Sequence, residues 1–154
     1  MSALEIPHDV LEQARHFFEN CGSHGFEGTA MIKAGPAGVA LVIPDQKPLR
    51  TEYGVSVEVT RDGQTQLALA LDPDELYVSR IHSHPAEAFH SKADDANPAL
   101  THDGALSIVV PYFGLGLRRG LDTCAVYRHQ DGRWSPLNSG ADRERRVIAG
   151  QPRL

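Results

Sequence analysis

The stretch from Arg80 to Asp95 constrains this chain most, because it gathers many metal-binding side chains in one place. It reads RIHSHPAEAFHSKADD and contains three histidines, a glutamate and two aspartates within sixteen residues. A solvated polar loop is one interpretation of this stretch, and a zinc site is the other. The spacing of the histidines and the patterns on either side bear on the choice.

His82 and His84 are two residues apart at the end of a predicted strand over residues 75–84. Side chains at this spacing in a strand point to the same face, so both imidazoles could hold one metal ion. A proline follows at once and ends the strand, since it cannot donate to a sheet ladder. The following loop brings back a carboxylate, from Asp94 or Asp95. Two imidazoles and one carboxylate form a common catalytic zinc set that leaves a fourth position for water.

The remaining apolar patterns predict alternating helices and strands. Apolar residues at helical spacing indicate an amphipathic helix over residues 7–20, followed by a turn at 21–25. A second short helix is predicted over 64–72, and the loop at 85–98 is expected to open a helix near Asp94. Further strands are predicted at 29–35, 38–44, 53–60, 104–111 and 121–129, with a last short one after the DGRW turn.

Composition limits the classes of partner. The 154 residues are 41% hydrophobic and 23% charged, which suits one globular domain, and the net charge of −5 argues against nucleic acid or an anionic membrane as the main partner. No apolar stretch approaches the roughly 20 residues of a membrane span, and the N-terminus lacks a signal-peptide pattern. Two scattered cysteines, Cys21 and Cys124, favour a reducing, cytoplasmic location.

Other candidate residues carry weaker signals. Glu87 and His90 lie in the same loop and are interpreted as spectators, with contact to substrate as the alternative. Cys124 and His129 have an odd separation, so on one strand they would face opposite ways, which favours a buried thiol over a nucleophile. His102 is interpreted as a capping or solvent-facing residue, and no ligand spacing is found for His8, His16, His24 and His129. Arg118 and Arg119 are either solvated or contact an acidic partner.

The combination of HSHP at 82–85 with SKAD at 91–94 resembles the JAMM motif of the JAB/MPN metalloproteases, which is H-x-H-P, a spacer and S-x-x-D. That family also has a glutamate at the start of the first long strand after an N-terminal helix. Glu27, in GFEGTAMI, occupies this place. The spacer here has six residues where familiar members have seven. The S-x-x-D spacing selects Asp94 as the third ligand, with Asp95 as the alternative.

The resemblance implies a role for each motif residue. One zinc ion per chain would be held by His82, His84 and Asp94. Glu27 would act as the general base, taking a proton from water and passing it to the leaving amine. Ser91 would donate a hydrogen bond to the oxyanion of the tetrahedral intermediate.

The resemblance also implies a fold and a substrate class. The fold would be a single α/β domain with a curved, mostly antiparallel sheet flanked by helices, in a JAB/MPN-like and cytidine-deaminase-like arrangement. We assign this domain to residues 1–138 and expect 139–154 to be a solvated tail, partly helical at most. The chain looks most similar to short stand-alone prokaryotic JAB proteins, some of which accompany ubiquitin-like conjugation or antiviral defence systems.

Three functions remain open at this stage. The first is a peptidase or isopeptidase that cuts after the C-terminus of a ubiquitin-like modifier, together with E1- and E2-like enzymes as associated partners. The second is a metallohydrolase of a small amide or a sulfur-carrier adduct. The third is a non-catalytic MPN-type scaffold, which the retention of every motif residue disfavours.

Overall fold

The computed structural model describes residues 3–51 and 54–152. In chain order its helices and strands are β1 (Leu4–Ile6), α1 (His8–Ser23), β2 (Thr29–Gly35), β3 (Gly38–Val42), β4 (Gln46–Thr51), β5 (Gly54–Val59), α2 (Arg61–Leu69), β6 (Leu76–Ser83), α3 (Lys92–Ala96), β7 (Leu106–Val110), β8 (Ala125–Gln130), β9 (Arg133–Pro136), α4 (Ala141–Glu144) and β10 (Val147–Ala149). A 3-10 segment, Tyr112–Arg119, follows β7.

Six strands form the central sheet, in the order β3-β2-β6-β7-β8-β9. Within this sheet, β6 and β7 pair in parallel and all other neighbours are antiparallel. The expected mixed α/β domain with a mostly antiparallel sheet flanked by helices is therefore confirmed. β7 reads Leu-Ser-Ile-Val-Val and is buried along its whole length, as its apolar run predicts for a central strand.

The hydrophobic core lies between this sheet and α1. The buried face of α1 carries Val10, Leu11, Ala14 and Phe18, which recur at helical spacing. These side chains share one core cluster with Ile81 of β6 and with neighbouring residues of β7. Because side chains alternate along a strand, Arg80 and His82 project from the opposite face of the sheet. The core thus fixes which face of β6 is left for the site.

α1 extends to Ser23, three residues beyond the predicted end, so the expected turn begins only after it. Gly22 does not terminate the helix. A side chain there would collide with Phe113, since a Cβ atom built on Gly22 lies 2.4 Å from the Cβ of Phe113. The glycine therefore permits close packing of the 3-10 segment on α1.

Between β3 and β6 the structure differs from the predictions in one additional strand and in the start of a helix. β5 confirms the strand predicted at 53–60, although Tyr53 lies outside the described residues. Its partner β4 was not predicted, because the run Gln-Lys-Pro is polar and contains a proline. α2 begins at Arg61 rather than 64, since the Thr60 hydroxyl accepts a hydrogen bond from the Gly63 amide at 3.0 Å and caps the helix.

The expectation of a solvated tail is wrong for residues 147–149. β10 pairs in parallel with β1, and Val147 is only 1% exposed within the core. Backbone hydrogen bonds hold the pair together, such as that from the Gly150 amide to the Ile6 carbonyl at 2.7 Å. An apolar run of three residues, Val147–Ala149, is too short to give a recognisable period. The assignment of the domain to residues 1–138 stays a prediction.

None of the helices in the described part of the chain combines the length and the hydrophobicity that a bilayer span requires.

Candidate metal centre

His82 and His84 meet at the end of β6. Their Nε2 atoms are 3.2 Å apart, and both side chains are buried. The backbone beyond the strand is held on two sides, because the His84 amide donates to the Val110 carbonyl and the Phe113 amide donates to the His84 carbonyl, each at 2.8 Å. The structure therefore brings the two imidazoles together, as the two-residue spacing predicts.

Asp94 reaches the histidine pair from α3. Its Oδ1 lies 3.1 Å from Nε2 of His82, and its Oδ2 lies 3.2 Å from Nε2 of His84. Ser91 caps the helix: its hydroxyl accepts from the Asp94 amide at 3.1 Å, and its own amide donates to Asp94 Oδ2 at 2.9 Å. The structure thus shows Ser91 orienting the Asp94 carboxylate, a contact that the S-x-x-D spacing of a capping box produces.

The three side chains fit a divalent metal ion. Their potential ligand atoms all lie within 4.8 Å of one another, and His82, His84 and Asp94 form the one such group found among the described residues. Ligands about 2.0–2.2 Å from a tetrahedral ion are separated by roughly 3.3–3.6 Å. The separations here are 3.1–3.2 Å, so a small outward movement would accommodate an ion. Three protein ligands leave the fourth position open.

Asp95 does not join this group. Its side chain is 58% exposed, and its Oδ1 lies 2.8 Å from Nδ1 of His90. Successive helical residues point about 100° apart, so Asp94 and Asp95 cannot both face the histidine pair. Of the two aspartates left open by the six-residue spacer, the structure brings Asp94 to the imidazoles.

His90 lies apart from the three potential ligands, in a buried network. Its ring stacks on Tyr127 with centroids 4.1 Å apart, and its Nε2 is 2.9 Å from the Ser107 hydroxyl. Glu87 in the same loop is exposed. His90 therefore packs the loop on the sheet, a role that the sequence did not indicate.

Glu27 lies between α1 and β2, near enough to His84 and Asp94 for their charges to act on its pKa. The next residue, Gly28, is fastened to Ser83: the Gly28 amide donates to the Ser83 hydroxyl at 2.9 Å, and the Ser83 amide donates to the Gly28 carbonyl at 3.0 Å. Ser83 is the residue between the two histidines and is fully buried. This contact was not predicted from the sequence. The alternation of side chains along β6 does indicate that Ser83 points away from the imidazoles.

The charges of the site perturb one another. Burial raises the pKa of Glu27 to about 7; the charge of His84 opposes this rise and that of Asp94 adds to it. Burial also raises the pKa of Asp94, but the hydrogen bonds with His82 and His84 lower it far more, to well below its usual range. Burial lowers the pKa of His84, yet the contacts with Asp94 raise it overall. The carboxylate and the imidazoles thus stabilise one another, whereas Glu27 is poised to exchange a proton near neutrality.

We expect the metal-free protein to lose stability from Glu27 as the pH rises. Because the folded pKa of about 7 lies above the unfolded value of 4.5, the fold favours protonated Glu27; this contribution is complete below pH 4.5 and is lost as the pH rises through 7. Glu27→Gln cannot ionise. Solvent screens this partly exposed group and reduces the effect, so the free energy of unfolding of Glu27→Gln, relative to the wild type, should increase between pH 5 and pH 8 by on the order of 1–2 kcal/mol.

Denaturant unfolding at several pH values, with chelator present, measures this difference. Glu87→Gln is the matched control, since Glu87 is an exposed carboxylate in the loop between β6 and α3. A difference for Glu27→Gln that does not change with pH would contradict the raised pKa.

Comparison with known proteins agrees with the motif. No family model matches the chain. The chain is 36% identical over 125 residues to "Probable metalloprotease y4jG" of Sinorhizobium fredii, a match that covers 73% of this chain and 77% of that protein. A crystal structure of a JAB1/MPN domain protein from Archaeoglobus fulgidus aligns with a TM-score of 0.49 and 15% identity, over 96% of this chain and 100% of that one. With 36% identity to a protein named as a probable metalloprotease over 73% of its length, and with the H-x-H-P and S-x-x-D residues assembled at one site, the chain belongs to the JAB/MPN metalloprotease family.

Proposed function

We propose that this protein is a zinc-dependent peptidase or isopeptidase that hydrolyses the bond after the C-terminus of a ubiquitin-like modifier. The observation that carries the hydrolase assignment is the triangle of His82, His84 and Asp94, with Glu27 beside it. Family membership supports a metallohydrolase, and the modifier is inferred from the resemblance to stand-alone prokaryotic JAB proteins.

The donor set favours zinc. Two imidazole nitrogens and a carboxylate oxygen suit zinc in catalytic sites, whereas hard cations such as calcium and magnesium prefer oxygen ligands. Cys124, one of the two cysteines, is buried among core residues and is not part of the described group. When bound, the ion would polarise the scissile carbonyl and lower the pKa of a bound water.

Glu27 is the proposed general base. A base works best when its pKa lies near the working pH, and the pKa of Glu27 is raised to about 7 by burial. Its carboxylate takes the proton of the attacking water and passes it to the leaving amine. The two Gly28–Ser83 hydrogen bonds hold the adjacent backbone against β6, the strand that carries His82.

Ser91 is the proposed oxyanion donor. Its hydroxyl oxygen accepts from the Asp94 amide, which leaves the hydroxyl hydrogen for another acceptor. A donor of this kind typically contributes about 10²–10³ in rate. The same side chain thus holds the Asp94 backbone through its oxygen and is available to the developing negative charge through its hydrogen.

The surroundings suit a polypeptide substrate. Phe89 is 53% exposed and packs edge-on against His84, with ring centroids 5.0 Å apart. An exposed aromatic ring at the edge of the site can contact an extended peptide on its way to the histidines. In the cell, we propose, the enzyme acts in the cytoplasm on a precursor or a conjugate, alongside E1- and E2-like enzymes.

The experiment is incubation of the zinc-loaded protein with a ubiquitin-like protein encoded in the same genome and fused at its C-terminus to a reporter. Mass spectrometry should find one cut, directly after the last residue of the modifier. Glu27→Gln serves as the inactive control. Hydrolysis of small amides with no cut in any such fusion would refute the modifier assignment while leaving the metallohydrolase intact.

A further inference from the structure

The helix that carries Asp94 is too short to hold its own position. α3 spans five residues, Lys92–Ala96, and none of its side chains is buried. Isolated helices of this length are unstable in water, so contacts at the two ends must hold α3 in place. The Ser91 capping box holds the first end. What holds the second end determines how firmly Asp94 faces the histidines.

Arg80 holds the second end. It lies on β6 two residues before His82, on the same face, and is 4% exposed. Its Nη1 donates to the carbonyl of Asn97 at 3.1 Å and to that of Ala99 at 3.3 Å, and its Nη2 donates to the carbonyl of Asp94. One guanidinium thus donates to three backbone carbonyls, one within α3 and two beyond its end.

The guanidinium is itself fixed by the sheet. Its Nε donates to the Ser107 hydroxyl of β7 at 3.1 Å. Its central carbon lies 4.3 Å from the centroid of the Trp134 ring on β9, within the range of a cation–π contact. Nη2 also lies 3.2 Å from Nε2 of His90. Arg80 therefore links α3 to three strands, and a planar fork of donors is needed to make all these contacts at once.

We infer that Arg80 is a positioning residue that sets the metal affinity of the site without contacting the ion. It donates a hydrogen bond to the main-chain carbonyl of Asp94, while the carboxylate of the same residue faces His82 and His84. This inference rests on the proposed metal binding by His82, His84 and Asp94. Without the guanidinium, the end of α3 loses these hydrogen bonds. The Asp94 carboxylate then also adopts positions away from the imidazoles, which weakens metal binding.

The test measures zinc affinity by chelator competition in three variants and the wild type. Outer partners of metal ligands typically contribute 10–100-fold to affinity, so we expect about 100-fold weaker binding for Arg80→Met and about tenfold for Arg80→Lys, which keeps the charge but not the fork. Val147→Ala is the control, because it removes core packing at the distant β10. It should lower the unfolding temperature and leave zinc affinity unchanged.

Substitution with cobalt gives a second measurement, the visible absorption spectrum of the bound ion, which a general loss of stability does not change. The visible absorption of Co²⁺ should change in shape or intensity in both Arg80 variants and match the wild type in Val147→Ala. If Arg80→Met does not fold, Arg80→Lys decides. Wild-type affinity and spectrum in Arg80→Lys would overturn the inference, whereas a wild type that binds neither metal would overturn the proposed metal site instead.

Discussion

Replacement of Glu27 by glutamine is expected to abolish most of the hydrolysis while the protein keeps its metal. Glutamine is nearly isosteric with glutamate but cannot accept the proton of the attacking water near neutral pH. General acid–base catalysis by a positioned side chain typically contributes about 10²–10⁴ in rate, so kcat/KM should fall within this range. Steady-state kinetics on a modifier fusion, paired with elemental analysis of the same sample, measures both quantities.

Glu87→Gln is the control for this experiment, because it removes an exposed carboxylate from the loop next to His84. It should retain wild-type rates and metal content. A Glu27→Gln protein that purified without metal would show that Glu27 is a ligand and that its role as a base is wrong.

The two aspartates of α3 should behave differently when each is replaced by alanine. Asp94→Ala removes the carboxylate that lies 3.1 and 3.2 Å from the imidazoles. Its zinc affinity should fall by more than the roughly 100-fold seen for outer partners of metal ligands, and activity should be lost with it. Asp95→Ala removes a mostly exposed carboxylate paired with His90. It should cost about 0.3–1 kcal/mol of stability, as for an acidic residue in the first turn of a helix, and leave zinc bound.

Chelator competition on the two single variants separates these outcomes, and denaturant unfolding of metal-free samples shows whether either change acts through stability alone. A larger loss of zinc affinity in Asp95→Ala would mean that the shortened spacer hands the ligand role to the second aspartate. The capping-box contacts between Ser91 and Asp94 argue for the first.

Local patterns made much of the site predictable. The same-face placement of His82 and His84 follows from the period of a strand, and the Ser91–Asp94 pairing follows from the spacing of a capping box. Glu27 could be assigned only through the resemblance to a known motif, since a single carboxylate after a helix has no spacing of its own. The structure adds what no local pattern contains, the pairing that sets Thr29 opposite His82 and so brings Glu27 to the histidines.

Residues that act through long-range contacts were not predictable. Arg80 reads as an ordinary strand residue, because its partners, Ser107 and the carbonyls beyond α3, are separated from it by 14 to 27 positions. The C-terminal segment reads as a polar tail, because β10 is held by backbone pairing with β1 and by a single buried valine. β4 was missed for the same reason, since pairing with β5 overrides a polar sequence with a proline.

The central claim is that one chain holds one zinc ion through His82, His84 and Asp94. Elemental analysis of protein expressed and purified without a metal-affinity tag tests it most directly, with His82→Ala as the matched variant. The account predicts one zinc per wild-type chain and a content near zero in the variant. Two metal ions per wild-type chain, no metal after incubation with zinc, or an unchanged content in His82→Ala would contradict it.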